Sequence, residues 1–397
     1  MNRAVVGSLD DVRRVCHEVG QEVLEPARAE TDAGVYPRRG LAALASVGMG
    51  AITVGEEYGG LGLSYEAFTA AVEVIASYCA STAMVYVMHT GAVERVKLAG
   101  SDSQKATYLA GASEGRIGSL AFSEPGTGGH FWYCTSQAAR DGDGYVLVAD
   151  KSFVTSAGEA DWYVMQTRSP DSDAPENMSY FLIDGGSPGI NTPFPWDALG
   201  LRGNSSGPMR FEDVRVKEEA VLGNHGDAAY WNDNAVDPVF LLGSSACWLG
   251  IATGAFERAV EHTKRTVHKD FNHSIGEYQV VRSYVADMSV KVAAARALTY
   301  EVARALDGFD RAGQPLGSDL EALWRLKILT SKTVIEVTNL ALQVSGGRGY
   351  RRGAIEQAYR DGRAGAIMGP TNEMCAEWIA KTALDMPLGY WYEGKDV

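Results

Sequence analysis

The chain lacks the compositional marks of several protein classes. Its 397 residues hold 36 Lys and Arg against 50 Asp and Glu, a formal net charge of −14, and no run of basic residues occurs. Because binding to nucleic acid or to anionic lipid needs clustered positive charge, neither partner is expected. The five cysteines are scattered, odd in number and never paired as C-x-x-C. We therefore expect neither a disulfide framework nor a zinc site.

The motifs of several common enzyme classes are also missing. No G-x-G-x-x-G lies between a strand and a helix and no G-x-x-x-x-G-K-[ST] occurs, so neither a Rossmann dinucleotide site nor a P-loop is predicted. No H-E-x-x-H cluster offers metal ligands, and no G-x-S-x-G elbow offers a serine nucleophile. The sequence predicts no metal site.

Long uncharged runs are scarce, and one stands out. Residues 238–256 carry no charge, yet they include Gly243, Gly250 and Thr253 and begin with Pro238. We interpret this run as the buried core helix of a helical domain rather than as a membrane span. The apolar stretch at the N-terminus is too short for a secretory signal. We accordingly expect a soluble cytoplasmic protein without membrane attachment.

What the sequence does contain is a change of periodicity at two points. Apolar residues recur at helical spacing from about Leu9 to Gly115, β-rich runs follow from about Ser119 to Asn224, and helical spacing returns from Trp231. The predicted fold is mainly α with a central β-domain. Its predicted parts are a helical domain (1–118), a β-domain (119–230) and a C-terminal helical bundle (231–397), with long helices near 238–265, 278–308 and 316–344.

Three segments carry residues suited to a polar cofactor. Residues 122–130 (FSEPGTGGH) form a Pro-Gly turn whose backbone N–H groups and hydroxyls can hold a polar ring edge or phosphate oxygens. Residues 151–158 (KSFVTSAG) place an aromatic ring and a hydroxyl on one face of a predicted strand, which suits an isoalloxazine ring. Residues 343–350 (QVSGGRGY) put two glycines after a long helix, which permits close approach of a ligand. Alone, the first segment equally fits an ordinary surface loop, and the alternative for the second is a hydrophobic core strand.

Taken in this order within an α-β-α frame, these segments resemble the acyl-CoA dehydrogenase family over nearly the whole chain. Further matching pieces are LGLRG at 199–203, FEDVRV at 211–216, YQ at 278–279, ADM at 286–288 and YRDGR at 359–363. The resemblance implies FAD-dependent α,β-dehydrogenation of an acyl-CoA or acyl-carrier thioester, with hydride transfer to flavin N5. It also implies a homotetramer, a dimer of dimers, or a heteromer with a paralogue, and electron-transfer flavoprotein as a candidate acceptor.

The resemblance further implies which residues form the site. The flavin contacts it implies are Phe122, Ser123, Gly128, Phe153, Val154 and Thr155, then Phe271, Gln343, Gly346 and Gly347 toward the FAD of a neighbouring subunit, and finally Thr371 and Glu373. His268 stands where the family usually has the Arg that binds the pyrophosphate, and this weakens the contact unless the imidazole is protonated. The substrate contacts it implies are Gly129, His130 and Phe240. The aromatic run from His130 onward fits a pantetheine tunnel or simple strand packing.

The chain departs from the family at the catalytic carboxylate. The usual Glu position is Gly369, and the alternative position on the first long C-terminal helix is Phe240. Three explanations stay open. The base lies elsewhere, or the substrate needs only the backbone N–H of Gly369 on its thioester oxygen, or the fold runs flavin oxidase or monooxygenase chemistry. A non-catalytic subunit that binds FAD or acyl-CoA is a further alternative.

Three residues are weighed as acid–base groups. Asp237 lies about one helical turn before Phe240, but its position beside Pro238 favours an N-cap role. Glu373 is favoured as a structural or FAD-edge residue. His89 falls on a helix that lines the acyl pocket in this family. A hydrogen-bonded core histidine is favoured there, although His89 is also the best neutral-pH acid–base candidate of that region.

Overall fold

The structure, a computed structural model, describes residues 6–130, 133–269 and 272–388. A helical segment, a β-domain and a second helical segment follow one another, and the predicted fold class is confirmed. The helices are α1 (Leu9–Val19), α2 (Glu25–Asp32), α3 (Arg38–Ser46), α4 (Tyr65–Tyr78), α5 (Ala80–Ala99), α6 (Asp102–Ser113), α7 (Ala228–Trp231), α8 (Asp237–Arg265), α9 (Gln279–Arg311), α10 (Leu320–Gly349), α11 (Ala354–Gly362), α12 (Ala364–Ile367) and α13 (Asn372–Ala383).

The strands build two four-stranded sheets and one short hairpin. They are β1 (Gly118–Ala121), β2 (Ala139–Asp141), β3 (Gly144–Lys151), β4 (Trp162–Arg168), β5 (Met178–Asp184), β6 (Ile190–Asn191), β7 (Met209–Lys217), β8 (Val221–Leu222), β9 (Val267–His268) and β10 (His273–Ser274). The first sheet has the order β1-β4-β5-β8, with β1 parallel to β4, and the second has the antiparallel order β2-β3-β7-β6. Strands β9 and β10 form the hairpin.

The first sheet is buried on both faces, which explains why β4 and β5 read as continuous apolar runs. Tyr163 and Phe181 pack toward the second sheet. Trp162 and Tyr180 point the other way and pack with residues of α5 and α6. The alternation of the strand therefore brings Tyr180 to the boundary between the β-domain and the helices.

Helix α8 is the central helix of the larger core, as the uncharged run 238–256 predicts. Helix 228–265 is long and apolar enough to cross a membrane by length and composition, but 89% of its most apolar window is buried inside the structure. Its glycines allow close packing on α4: a Cβ at Gly250 would lie 2.2 Å from the carbonyl oxygen of Glu73. The interpretation as a core helix is confirmed.

The predicted N-cap role of Asp237 is wrong. Helix α7, a π-helical turn at Asn232–Val236 and α8 form one continuous helix, and Asp237 has helical dihedrals (φ −61°, ψ −44°). Pro238 has no backbone N–H and so cannot donate a helical hydrogen bond. The wide π-helical turn ends at Val236, two residues before this proline. The predicted domain boundary at residue 231 thus falls inside this helix, which begins at Ala228.

Candidate functional site

The first two cofactor segments of the sequence lie side by side. The backbone N–H of Ser152 donates to the carbonyl oxygen of Ser123 over 2.8 Å. The Phe122 side chain is buried and stacks on Tyr180, with ring centroids 5.2 Å apart. The loop that begins at Phe122 is therefore joined both to the end of β3 and to the helix-facing side of β5.

A buried ion pair holds this loop in place. Lys151 Nζ lies 2.7 Å from Glu124 Oε1 and donates to the carbonyl oxygen of Phe122. Glu124 also accepts from the backbone N–H groups of Thr135 and Ser136, at 2.6 and 3.1 Å, and from both hydroxyls. Burial raises the pKa of Glu124, but the charge of Lys151 and these hydrogen bonds outweigh it and lower the pKa to about 2. One carboxylate thus ties both ends of loop 124–136 to β3.

The second segment is a turn rather than the predicted strand. Strand β3 ends at Lys151, and Phe153 takes a left-handed φ of +54°. Phe153 and Thr155 therefore do not share a face: the Phe153 side chain is 69% exposed, whereas Thr155 is buried with its hydroxyl 2.9 Å from Ser206 Oγ. Val154 is buried too. The exposed ring of Phe153 meets Trp196 edge-on at 6.3 Å, which leaves a ring face free.

These surfaces fit a flat, polar-edged ring. Gly128 has a positive φ of +57° and nothing within 4 Å of where a Cβ would stand, so its backbone borders open space. The imidazole of His130 is exposed, with Nδ1 3.0 Å from the carbonyl oxygen of Thr127. An exposed aromatic ring beside an open glycine loop is a surface on which an isoalloxazine can pack.

The segment with the missing carboxylate meets the same loop. Gly369 lies between α12 and α13, and Thr371 caps α13 by accepting from the backbone N–H of Met374. A Cβ at Gly129 would lie 3.9 Å from Met374 Sδ. The first turn of α13 is therefore adjacent to the glycine loop.

Glu373 lies on the exposed side of this turn. Its own backbone N–H and the Thr371 hydroxyl lower the pKa of its carboxyl. A carboxylate stabilised in its charged form is a poorer proton acceptor, which agrees with the structural or FAD-edge role favoured from the sequence.

Asp237 stands at the start of α8 and acts electrostatically on residues of β5 and α13. Burial and the charge of Asp233 raise its pKa well above the ordinary value. Burial also raises the pKa of the Cys375 thiol to about 12, an effect that Lys327 opposes and Asp237 enhances. Asp237 likewise adds to the raised pKa of Tyr180, which burial dominates. Phe240, one turn further along α8, is half-buried against the main core.

His89 is fixed in the interior at both ring nitrogens. Nε2 lies 2.7 Å from the carbonyl oxygen of Gly50, and Nδ1 accepts from the backbone N–H of Gly118 at 3.0 Å. These partners assign the neutral tautomer with the proton on Nε2. Burial lowers the pKa of His89. The structure thus argues against an acid–base role and for the hydrogen-bonded core histidine favoured from the sequence.

A separate group of predicted residues lies at the ends of α8 and α10. His268 is exposed on the β9–β10 hairpin with Nδ1 3.2 Å from the Tyr278 hydroxyl, and Gln343, Gly346 and Gly347 are exposed near the end of α10. Gly346 (φ 56°, ψ −143°) kinks that helix. Phe271 lies outside the described residues. Within 6–130, 133–269 and 272–388, no recorded hydrogen bond or ion pair joins this group to the glycine loop.

The helical, β and helical parts of the chain match, in this order, the three domains of one protein family. The N-terminal, middle and C-terminal domains of acyl-CoA dehydrogenase match residues 8–116, 119–214 and 242–384. The chain belongs to the acyl-CoA dehydrogenase family. It is an FAD-dependent acyl-CoA dehydrogenase-like oxidoreductase by this membership.

Individual relatives support the same assignment. The cyclohex-1-ene-1-carbonyl-CoA dehydrogenase of Syntrophus aciditrophicus is 30% identical over 83% of this chain and 78% of its own length. The short-chain specific acyl-CoA dehydrogenase of Clostridium acetobutylicum is 29% identical over 91% of this chain and 94% of its own. The structure of butyryl-CoA dehydrogenase from Megasphaera elsdenii superposes with a TM-score of 0.88 at 26% identity, covering 97% of this chain and all of that one.

Sequence reasoning missed two residues of this acyl-CoA dehydrogenase-family site. Glu124 and Lys151 stand inside the two cofactor segments but were given no role of their own. The signal was present in the sequence, because a Lys at the end of an apolar strand run is rarely buried without an acidic partner.

Proposed function

We propose that this protein binds FAD and removes a Cα proton and a Cβ hydride from an acyl thioester. The observation that carries the proposal is the meeting of three elements: the glycine loop at 122–130, the exposed turn at Phe153, and the segment from Gly369 to Thr371. The 2.8 Å hydrogen bond from Ser152 to Ser123 joins the turn to the glycine loop. The approach of Gly129 to Met374 joins the loop to the first turn of α13, which follows Thr371.

The residues that would hold FAD come in two groups. In the same subunit they are Phe122, Ser123, Gly128, Phe153, Val154, Thr155, Thr371 and Glu373. From a neighbouring subunit they are His268, Phe271, Gln343, Gly346 and Gly347. The exposure of the second group, apart from Phe271, supports its use by another copy of the chain. His268 in place of Arg makes binding of the pyrophosphate dependent on imidazole protonation.

The chain would hold the thioester at its reacting carbonyl. The backbone N–H of Gly369 is proposed to bind the thioester oxygen and to stabilise enolate-like charge in the transition state. Gly129, His130 and Phe240 are the proposed substrate contacts. Bound FAD would supply the hydride acceptor at N5. The proposed substrate is an acyl-CoA or acyl-carrier thioester, and electron-transfer flavoprotein is a candidate electron acceptor. The proposed assembly is a homotetramer or a heteromer with a paralogue, and the proposed compartment is the cytoplasm.

Anaerobic titration of the flavin-loaded protein with a panel of acyl-CoAs tests the proposal. Bleaching of the flavin absorbance by one thioester is the expected result, and it identifies the substrate class. A flavin that stays oxidised throughout contradicts the proposal and favours monooxygenation or a non-catalytic subunit. A protein that takes up no FAD refutes the cofactor assignment. Rapid reoxidation of the bleached flavin by O₂ would identify an oxidase.

The substitution Gly369→Glu tests the position of the thioester. It restores a carboxylate at the usual family position, so activity on simple acyl-CoAs should rise. A protein that still binds FAD but shows no gain argues against a substrate located at Gly369.

A further inference from the structure

Asp237 differs from the other acidic side chains of the interior. Glu73, Glu94, Glu124, Asp307 and Asp361 each accept hydrogen bonds from named side-chain or backbone donors. Across the described residues, no donor lies within hydrogen-bond distance of the Asp237 carboxylate. A half-buried carboxylate without a protein donor takes its hydrogen bonds from solvent or from a bound molecule, so its position near a site calls for a functional explanation.

Asp237 acts electrostatically on two elements of the proposed site. One is Tyr180, whose ring stacks on Phe122 at the start of the glycine loop. The other is Cys375, in the first turn of α13 after the Gly369–Thr371 segment. Asp237 keeps partial solvent contact although burial dominates its pKa.

Asp237 lies one helical turn before the alternative base position on α8, at Phe240. A wide turn at Asn232–Val236 directly precedes Asp237, and such turns inside long helices are frequent at functional sites. Counting residues from Gly250 leads to Phe240, one turn further on, where no carboxylate stands. The other nearby acids are less suited: Glu373 is exposed with a lowered pKa, and Asp233 sits one turn earlier.

We propose that Asp237 is the catalytic base that removes the Cα proton of the bound acyl thioester. The inference rests on the proposed function. The Cα–H bond breaks toward the Asp237 carboxylate and its electron pair forms the Cα=Cβ double bond. The Cβ–H bond breaks with its electron pair as hydride, which bound FAD would accept, so that the thioester is oxidised and the cofactor reduced by two electrons.

The electrostatic surroundings agree with this role. Asp233 on the same helix raises the pKa of Asp237, and Asp237 in turn acts on Tyr180 of β5 and on Cys375 of α13, which Lys327 of α10 also influences. A base works best when its pKa lies near the operating pH, and burial beside a second carboxylate moves it in that direction.

The substitution Asp237→Asn tests the role, with Asp143→Asn as the matched control on the exposed β2–β3 turn. Two readouts are needed: the rate of anaerobic flavin reduction, and hydrogen–deuterium exchange at Cα of acetyl-, butyryl-, isobutyryl- and phenylacetyl-CoA with the flavin kept chemically reduced. Because oxidation is then blocked, exchange reports proton removal alone. The expected loss in both readouts is roughly 10²–10⁴-fold for Asp237→Asn, with none for the control.

Stability and pH separate a base from a structural residue. Asp237→Asn removes a carboxylate that has no donor, so FAD retention should persist and the unfolding temperature should stay or rise. Asp233→Asn should shift the pH profile of exchange to lower pH. If Asp237→Asn exchanges the Cα proton at the wild-type rate, Asp237 is not the base, while the proposed function still stands. Wild-type protein that neither exchanges nor bleaches with any of these thioesters overturns the proposed function, and the role of Asp237 with it.

Discussion

Removing the charge of Glu124 should destabilise the β-domain and release the glycine loop. In Glu124→Gln the ammonium of Lys151, whose side chain is 0% exposed, loses its only described anionic partner and keeps neutral acceptors, the carbonyl oxygens of Phe122 and Gln166 and the Cys134 sulfur. An isosteric amide preserves the shape of the side chain, so the change isolates the charge. The cost then reflects an unpaired buried cation.

Two figures bear on this cost, one from the pKa of Glu124 and one general to buried ion pairs. The pKa of Glu124 falls from 4.5 to about 2 in the folded protein, and at 1.36 kcal/mol per pKa unit this corresponds to about 3 kcal/mol at neutral pH. Breaking a buried ion pair by removing one partner costs about 3–5 kcal/mol in general. Because the folded-state pKa is lowered, this stabilisation is present above pH 4.5 and is lost as the pH falls toward 2.

A double-mutant cycle monitored by thermal unfolding checks this reasoning. We expect Glu124→Gln to lower the midpoint by on the order of 10 °C and to weaken FAD retention, because the loop from 124 to 136 loses its anchor. Adding Lys151→Met removes the unpaired cation and should recover a large part of the loss. The neighbouring Asp150→Asn, which breaks an exposed pair with Arg210, serves as the control and should cost less than about 1 kcal/mol.

The cycle has a clear refuting result. If the double variant loses stability equal to the sum of the two single losses, the charges do not interact. If Glu124→Gln unfolds at the wild-type temperature, the pair contributes nothing to stability, and the loop is held by the hydrogen bonds to Thr135 and Ser136 alone.

Three further outcomes are expected. His89→Ala should cost about 2–4 kcal/mol, since it leaves two buried backbone groups unpaired and a cavity, yet change the rate of flavin reduction little; a large rate loss at unchanged stability would restore its acid–base role. Burial raises the pKa of Asp361 from 3.8 to about 6, so the contribution of this carboxyl to stability should fall as the pH rises from 3.8 to 6 and stay level above, against the opposite contribution of Glu124 below pH 4.5. Asp361→Asn should flatten that part of the unfolding-temperature profile, and an unchanged slope would contradict the cause. Gly250→Ala should cost about 1–3 kcal/mol or more because its Cβ would overlap the Glu73 carbonyl, whereas Gly186→Ala, with open space around it, should be neutral in chemical denaturation.

The architecture was predictable because each zone of the sequence carries its own period. The uncharged run 238–256 lacks charge on every side, and only a helix surrounded by other helices can use such a run in a folded domain. The buried strands β4 and β5 were predictable for the same reason, since both of their faces are covered.

Local signals failed where the backbone leaves its regular period. A strand alternates its side chains only while φ stays extended, and the left-handed φ of Phe153 ended the alternation that the prediction assumed. An Asp before Pro reads as a helix start, but at Asp237 the helix was already under way. Neither departure leaves a mark in composition.

Contacts between distant residues were beyond reach for a different reason. Glu124 and Lys151 are 27 residues apart and follow or end strands of different sheets, so only the packing of the two sheets brings them together. A similar case is His89, whose two partners come from a 3₁₀ turn before it and from the start of β1 after it. The lack of a hydrogen-bond donor at Asp237 likewise becomes visible only in the folded structure, where the donors around it have known positions.

The wide turn at Asn232–Val236 also affects how relatives should be aligned with this chain. From Asp237 to Arg265 the helix is regular, so counting back from Gly250 assigns equivalent positions correctly. Upstream of Asp237 the turn holds one residue more than an α-helix, which rotates everything before it by about 100° around the axis. An ungapped comparison across this point pairs residues that face different directions. A relative with one residue fewer here would present its residues before 232 on another face of the helix while sharing every position after 237.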